Sequence, residues 1–529
     1  MSSGTLTGTG SLVRLALRRD RLWVLPWLIG IVTLVAVSVS SIAGLYPTAA
    51  LRAAYGATAA SNPALIALSG RGYDLASLGG LTAWRIGLFA AVAAALMNTF
   101  LVIRHTRADE ETGRSELVGS AIVGRRAALS CALTIAGVAD LTLVGLLTAA
   151  MSLSGLPVAG SFALALSIGL AGATFAGIAA VAAQCATTAR GATGAASAIL
   201  GAAFLVRAAG DLADNGVGWV SPLGWVGRLR PFAGERWEVL GLFAVLILLT
   251  GCLSFVLAQR REYGAGLLPP RAGSSTAARW LSGPVGLAWR LQRGALLGWC
   301  VGFLVMGAAY GALAKDVGAI VGDNPALVDI LQRLGGAEGI VDSYLTTTFG
   351  IVGMLASGYV IASVLRLRQE ETGGYAELLL ATPLARMRWA SGHTVVACTG
   401  AILLLAISGA STGLVHGLRT GDVAGQLGRL TLGALAQAPA VWIVGAVTVL
   451  LVGWLPRAAS AAWGVLVACV VLGQFGALLS LPSGLIDLSP FGHVPAIGGV
   501  TATPLAVLTV IAIGLAGAGL IGLHRRDIG

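Results

Sequence analysis

The sequence predicts an all-α polytopic membrane protein, with about twelve transmembrane helices forming two parallel, pseudo-symmetric six-helix halves. The first observation behind this is hydropathy. Of 529 residues, 56% are hydrophobic and 11% charged, far less charge than the roughly one quarter usual in soluble domains. Runs such as 22–45 and 239–258 reach the roughly 20 apolar residues that cross a bilayer as a helix. A β-barrel would show short alternating segments instead. The second observation is an internal repeat, and the third is the placement of arginine.

Five short matches carry the repeat. LALRRDRLWVLPW at 15–27 matches LAWRLQRGALLGW at 287–299, and NPAL occurs at 62–65 and 324–327. EETG occurs at 110–113 and 370–373, SPLG at 221–224 answers SPFG at 489–492, and QRREYG at 259–264 answers HRRDIG at 524–529. All keep the same order, with offsets between 260 and 272 residues, so one unit is duplicated. The apolar runs place spans near 22–44, 81–103, 127–153, 160–186, 192–209 and 238–258, then near 294–314, 346–365, 391–415, 428–453, 460–480 and 502–523. Residues 1–262 form the first half, 263–285 a cytoplasmic linker rich in Gly, Ser and Pro, and 286–529 the second half.

Arginine sets the orientation. With both termini cytoplasmic, 23 of the 34 basic residues fall on the inner side. The chain is therefore expected in the bacterial plasma membrane with N- and C-termini inside. Six spans per half insert both halves the same way up, around an axis along the membrane normal and a central cleft. The net charge of +11 follows from this topology bias, and nucleic acid is not an expected partner. Each half opens with a basic amphipathic segment, Arg14, Arg18 and Arg21 in the first and Arg290 and Arg293 in the second, expected to lie in the interface plane. A plain topology signal is the competing reading. The six cysteines fall in apolar runs without a C-x-x-C, and the five histidines are scattered singly. No metal site, catalytic residues or cofactor is expected in this chain.

The inner loops after spans two and eight stand out as RADEETGRSEL at 107–117 and RQEETGGYAEL at 368–378. Gly113 and Gly373 are expected to stop the preceding helices in the left-handed conformation. The residues that follow start a short second helix, with Glu116 and Leu117, or Glu377 and Leu378, on different sides. Charges that merely avoid lipid would look similar, but recurrence of the same letters favours a docking element. The only lysine, Lys315, is followed by Asp316, so the chain has no G-x-x-x-x-G-K-[ST] loop. ATP, if it drives the protein, is hydrolysed by another subunit.

These features resemble the permease subunit of ATP-binding-cassette exporters, in particular the actinobacterial polyketide-antibiotic exporter family. The resemblance covers the whole chain and rests on the duplicated unit, EETGRSEL and EETGGYAEL with the following VGRR and LARMRW, and the RR-acid-x-G ends. It implies two copies of a separate nucleotide-binding ATPase holding ATP and magnesium. It also implies coupling helices that place the docking residues at Arg107, Glu110, Glu111, Gly113, Glu116, Leu117, Glu370, Glu371, Gly373, Glu377 and Leu378. Gly374 and Tyr375 stand where Arg114 and Ser115 do, so the two docking loops differ. The resemblance further implies that spans two, eight, five and eleven face the central axis.

Within the membrane, Ser161, Ala165, Gly169, Ala173 and Gly177 put a small residue every four positions along span four, which permits close helix contact. Arg85, Asp140, Arg207 and Arg429 each need a partner or water there. Arg85 and Arg207 are expected to snorkel. Asp140 either pairs with an arginine or lines a cavity. Asn98, Phe100, Met354, Ser357 and Tyr359 are the further candidates for the substrate path. Trp219, Trp225 and Phe491 are expected as interfacial anchors. The function expected is an ATP-driven exporter permease that moves hydrophobic or amphiphilic compounds outward by alternating access. The alternative is a proton-coupled twelve-span drug antiporter with Asp140 carrying the proton, although the loop after span two lacks G-x-x-x-D-R-x-G-R-R.

Overall fold

The computed structural model describes residues 6–60, 62–114, 124, 126–262, 264–268, 276, 278, 281, 283–317, 339–475, 482–499 and 501–526. Among these, twelve helices are long and apolar enough to cross a membrane. They divide into two units, Met1–Gly273 and Ser274–Gly529. Glu116, Leu117 and the second NPAL fall outside the described residues.

The first unit opens with Thr9–Leu45 (α1), a single helix of 37 residues. At 1.5 Å per residue it is roughly 55 Å long, against a hydrocarbon core of about 30 Å. The Arg14–Arg18–Arg21 face is therefore not a separate interfacial helix. It is the first turns of α1, because no glycine or proline interrupts residues 11–25; Pro26 lies inside the helix, which continues past it. Two short helices follow, Ala49–Ala60 (α2) and Pro63–Ser69 (α3). Next come Leu78–Ile103 (α4), capped by the Ser77 hydroxyl on the Gly80 amide, then Ala127–Leu153 (α5), Val158–Cys185 (α6), Ala189–Leu212 (α7), the short Pro222–Arg228 (α8) and Leu240–Arg260 (α9).

The second unit begins with Pro284–Ala314 (α10), again one helix from its basic first turns onward, with Pro284 at the first position, where a missing amide costs nothing. It continues with Ile340–Val364 (α11), Arg366–Thr372 (α12), Tyr375–Leu380 (α13), Arg386–Thr420 (α14), Val423–Leu435 (α15), Ala438–Trp454 (α16), Ala462–Val470 (α17) and Ala502–Arg525 (α18). Span ten is thus α15 and α16 in series.

Burial sorts the spans the same way in each unit. In the first, the second, third and fourth spans (α4, α5, α6) are mostly buried, while α1, α7 and α9 turn most of their apolar surface outward. In the second, spans eight to ten are the buried ones and seven, eleven and twelve the exposed ones. Leu248 and Leu249 on α9, and Val510 and Ile513 on α18, are more than 60% exposed, as lipid-facing side chains are.

Small residues set the close contacts. A Cβ at Gly169 would sit 2.6 Å from Val144 of α5, and one at Gly177 would sit 2.1 Å from the Thr250 hydroxyl of α9. The small-residue face of α6 is therefore a packing face. The aromatic anchors behave differently from expectation. Trp225 is buried, donates to the Trp219 carbonyl (2.8 Å) and meets Phe243 edge-on at 5.1 Å; Phe491 is buried too. Both rings lie in the short helices opened by the SP-x-G prolines and are buried in the protein, while Trp219 stays partly exposed.

Gly177→Ala is expected to destabilise the protein by about 1–3 kcal/mol through overpacking against Thr250. Gly137→Ala, whose Cβ meets nothing within 4 Å, is expected to be neutral or stabilising by up to about 1 kcal/mol. Thermal unfolding in a mild detergent reads both, and equal midpoints would refute the close contact.

Candidate functional site

The RADEETG segment continues α4 without a loop. Arg104–Ala108 form a π-helical turn and Asp109–Glu111 one last helical turn. Gly113 then takes φ +69°, the left-handed stop expected from the sequence. Arg107 is 1% exposed. Its guanidinium donates to the Ala183 carbonyl (2.9 and 3.2 Å), the Ala265 carbonyl (3.1 Å) and the Gly264 carbonyl (3.4 Å). Ala183 lies in the last turn of α6, whose carbonyls lack helical partners and carry the negative end of the helix dipole.

Glu110 completes this bracket. One carboxylate oxygen accepts from Arg107 (2.9 Å) and from Arg261 (2.9 Å), and the other also meets Arg261. Arg261 in turn donates to the Gln184 side chain (2.6 Å). Glu110 therefore fastens the end of span two to the end of span four and to the segment after span six. Glu111 is exposed and points elsewhere: it accepts from the Ala189 amide (2.9 Å), at the positive end of α7. Asp109 lies 3.5 Å from Arg19 and 3.7 Å from Arg114. Beneath it, buried Asp20 of α1 accepts from Arg104 (3.1 Å) and contacts His105.

The second unit builds the same end with different partners. α11 breaks at Leu365 and resumes as α12. Glu370 is buried; it accepts from Trp389 (3.2 Å) and lies 3.4 Å from His393 and 3.6 Å from Arg366. The other His393 nitrogen meets Gln292 of α10 at 3.1 Å. Glu371 pairs with Arg368 (2.9 Å) and with Arg526, just past α18. Gly373 is not the left-handed stop expected: its φ is −86°, and Gly374 takes φ +73° in its place. α13 follows at once. Ala376 is buried, whereas Tyr375 and Leu378 are 65% and 72% exposed and Glu377 is exposed.

The arginine after the last span of each unit thus meets the first glutamate of EETG in one unit and the second in the other. One residue along a helix is a rotation of about 100°. A π turn precedes the motif in the first unit and a break at Leu365 in the second, so identical letters present different carboxylates. Glu110, Glu370 and Glu371 are accordingly spent inside their units. Among the described residues of these loops the exposed positions are Glu111, Thr112, Arg114, Gln369, Thr372, Gly373, Tyr375, Glu377 and Leu378.

The candidates for the substrate path pack inside their own units and line neither the cavity beside Arg207 nor the groove beside Trp27. Asn98 donates to Asp140 (2.8 Å) and to the Ala94 carbonyl (3.0 Å). The partner of Asp140 is therefore an amide rather than an arginine. Both sit over Gly172, where a Cβ would come within 2.6 Å of either side chain. Phe100 packs on Trp27 at 6.1 Å, and Tyr359 on Trp299 at 6.1 Å with its hydroxyl over Gly400. Ser357 donates to the Gly353 carbonyl (3.1 Å), and Met354 is buried. Arg85 is exposed and Arg429 pairs with Asp342.

The profile of a family described as "Multidrug efflux system permease Rv1217c, C-terminal domain" matches residues 281–524. The chain is also 41% identical to the multidrug efflux system permease protein Rv1217c of Mycobacterium tuberculosis, over 99% of this chain and 95% of that protein. The chain belongs to this family of efflux permeases.

For a permease, the residues that sequence reasoning missed are those that meet the acidic pairs. Arg261 and Arg526 were in view as the RR-acid-x-G ends of the repeat, and their recurrence in both halves, as for EETG, was the available signal. Trp389 was in view as the end of LARMRW, without its partner, whereas His393 and Gln292 carried no signal. Arg207 does not snorkel. It is 2% exposed and caps the carbonyls of α3, with Asp211 one turn on at 3.3 Å. The i, i+4 spacing of Arg207 and Asp211 was legible.

Double-mutant cycles read from unfolding in detergent check the shifted pairing. Glu110→Gln with Arg261→Gln, and Glu371→Gln with Arg526→Gln, should each couple by about 1–3 kcal/mol. Glu370→Gln with Arg526→Gln should be additive within about 0.5 kcal/mol. Coupling of Arg526 to Glu370 instead would overturn the assignment.

Proposed function

We propose that this chain is the membrane subunit of an ATP-driven exporter in the bacterial plasma membrane, both termini in the cytoplasm. It moves hydrophobic or amphiphilic compounds outward by alternating access. Two copies of a separate ATPase, which hold ATP and magnesium, dock on the loops after spans two and eight. The chain itself performs no hydrolysis. The observation that carries this reading is α13: a short helix with Tyr375 and Leu378 turned out to solvent, hung from a segment whose acidic pair is locked into the unit. A push on such a helix is transmitted directly to spans eight and nine through Glu370, Trp389 and His393, and to the end of span twelve through Glu371 and Arg526. The relative's printed name, a permease of an efflux system, supports an arrangement in which the permease is one component among several.

In this reading the docking surface draws on the exposed charged and large side chains: Glu111 and Arg114 on the first loop, and Tyr375, Glu377 and Leu378 on the second. Arg107, Glu110, Glu370 and Glu371 act as the rigid linkage behind it. Gly113 and Gly374, rather than Gly373, supply the left-handed residue of the two turns. A proton-coupled antiporter is the second reading, favoured by Asp140, a carboxylate buried in a span with a single amide partner.

Affinity purification of the tagged chain from its native cells should recover an ATPase. Leu378→Glu combined with Tyr375→Glu should lower its affinity about tenfold or more, with the permease still folded. Unchanged recovery would remove α13 as the docking element. Transport that follows a pH gradient without an ATPase, and stops with Asp140→Asn, would replace the exporter by the antiporter.

A further inference from the structure

A second polar centre lies in the first unit, at the end away from the acidic loop. Its cavity of ≈ 40 Å³ is lined by Arg71, Arg207, Arg228 and Asp211, with Trp84, Leu88, Leu164 and Leu223 as apolar wall. That volume holds a few waters or one small anionic group. Three guanidinium groups face one carboxylate there. A fourth, Arg230, in a left-handed conformation at φ +55°, covers the ring of Tyr73 at 4.6 Å, and Tyr73 also lines the cavity.

The arginines divide into frame and ligand. Arg207 is fully engaged at its two amino groups, by Asp211 and the α3 carbonyls, and its buried Nε has no hydrogen-bond partner. Asp211 is held from the other side by Arg228 at 3.2 Å. Arg228 reaches the carbonyls of Gly218 (3.2 Å) and Gly224 (3.1 Å), where a Cβ on either glycine would collide with its guanidinium. Arg71 is the loosest of the three. Its Nε donates to the Asp211 carbonyl (3.1 Å), while its Nη1 pairs with Asp214 (2.5 Å), a carboxylate 76% exposed. Such a surface pair is worth little, so an incoming anion displaces Asp214 at small cost. In the partly apolar cavity a charge-assisted bond to the same guanidinium is stronger.

We propose that this cavity binds an oxyanion, a phosphate or carboxylate group, either free or as the head of an amphiphile, with Arg71 and Arg228 as its ligands and Asp214 as the group it displaces. Neither an ATPase nor the docking loops enter this reading, so it stands or falls separately from the exporter.

The test uses the full chain in a non-ionic maltoside detergent, titrated calorimetrically with inorganic phosphate, dodecyl phosphate and dodecyltrimethylammonium. An oxyanion probe should bind and the ammonium should not, with affinity falling as salt rises. Arg71→Gln should weaken binding about tenfold, and Asp214→Asn should strengthen it about two- to fivefold by freeing Arg71. The gain in Asp214→Asn cannot come from misfolding, and so guards against a damaged Arg71→Gln protein. Equal binding of both phosphates assigns the site to a free anion, and preference for dodecyl phosphate assigns it to an amphiphile head. No binding of either phosphate, equal binding of the ammonium, or affinity unchanged in both variants would overturn the proposal.

Discussion

A charged side chain withdrawn from water at the end of a membrane span must find its counter-charge and its hydrogen bonds within the protein. Arg107 meets this constraint by taking carbonyls from the end of α6 and from the segment after α9, and a carboxylate from its own last turn. Glu110 then needs a second cation, and Arg261 supplies it. The geometry of that end of the first unit follows from these requirements: span two leaves the bundle already joined to span four and to the end of span six. Removing Glu110 would leave two buried arginines without their counter-charge, a penalty of about 3–5 kcal/mol. Arg368, Glu371 and Arg526 solve the same problem in the second unit.

The consequence for function is a separation of roles that the residue types alone do not suggest. Carboxylates are the conspicuous feature of both loops, yet most of them are internal fasteners. The surface left over is partly apolar, and a helix of six residues carries it in the second unit. Under the proposed exporter, an apolar contact on a stiff mount would suit the transmission of force better than an exposed ion pair, which salt weakens and side-chain entropy opposes. The same logic places rigid, buried spans behind the loops: α4 and α11 are among the most enclosed helices of their units, while the spans that meet lipid lie at the margins.

Particular residues mark how far the sequence could be read. The twelve spans, the order of the repeat and the packing face of α6 were legible, because each depends on composition or spacing along one helix. Gly113 was legible as a stop, and its counterpart was misplaced by one residue, from Gly374 to Gly373. Asn98, Asp140 and Tyr359 were legible as unusual in a span but not as a packed amide–acid pair and a tyrosine seated over a glycine. Arg207 looked like a snorkelling residue because it lies near a helix end. Its burial depends on α3 folding back to offer three carbonyls.

By itself, then, the sequence determined that this is a duplicated membrane protein of twelve helices, and where along the chain its charges gather. Hydropathy and helix formation are local, and lipid forces each span to satisfy its own backbone. Only the tertiary structure decided which acid meets which arginine, and which loop residues remain exposed. Those outcomes turn on rotation about a helix axis, where one residue shifts a side chain by about 100°. They also turn on what a distant segment brings to the same point, and no local pattern records either.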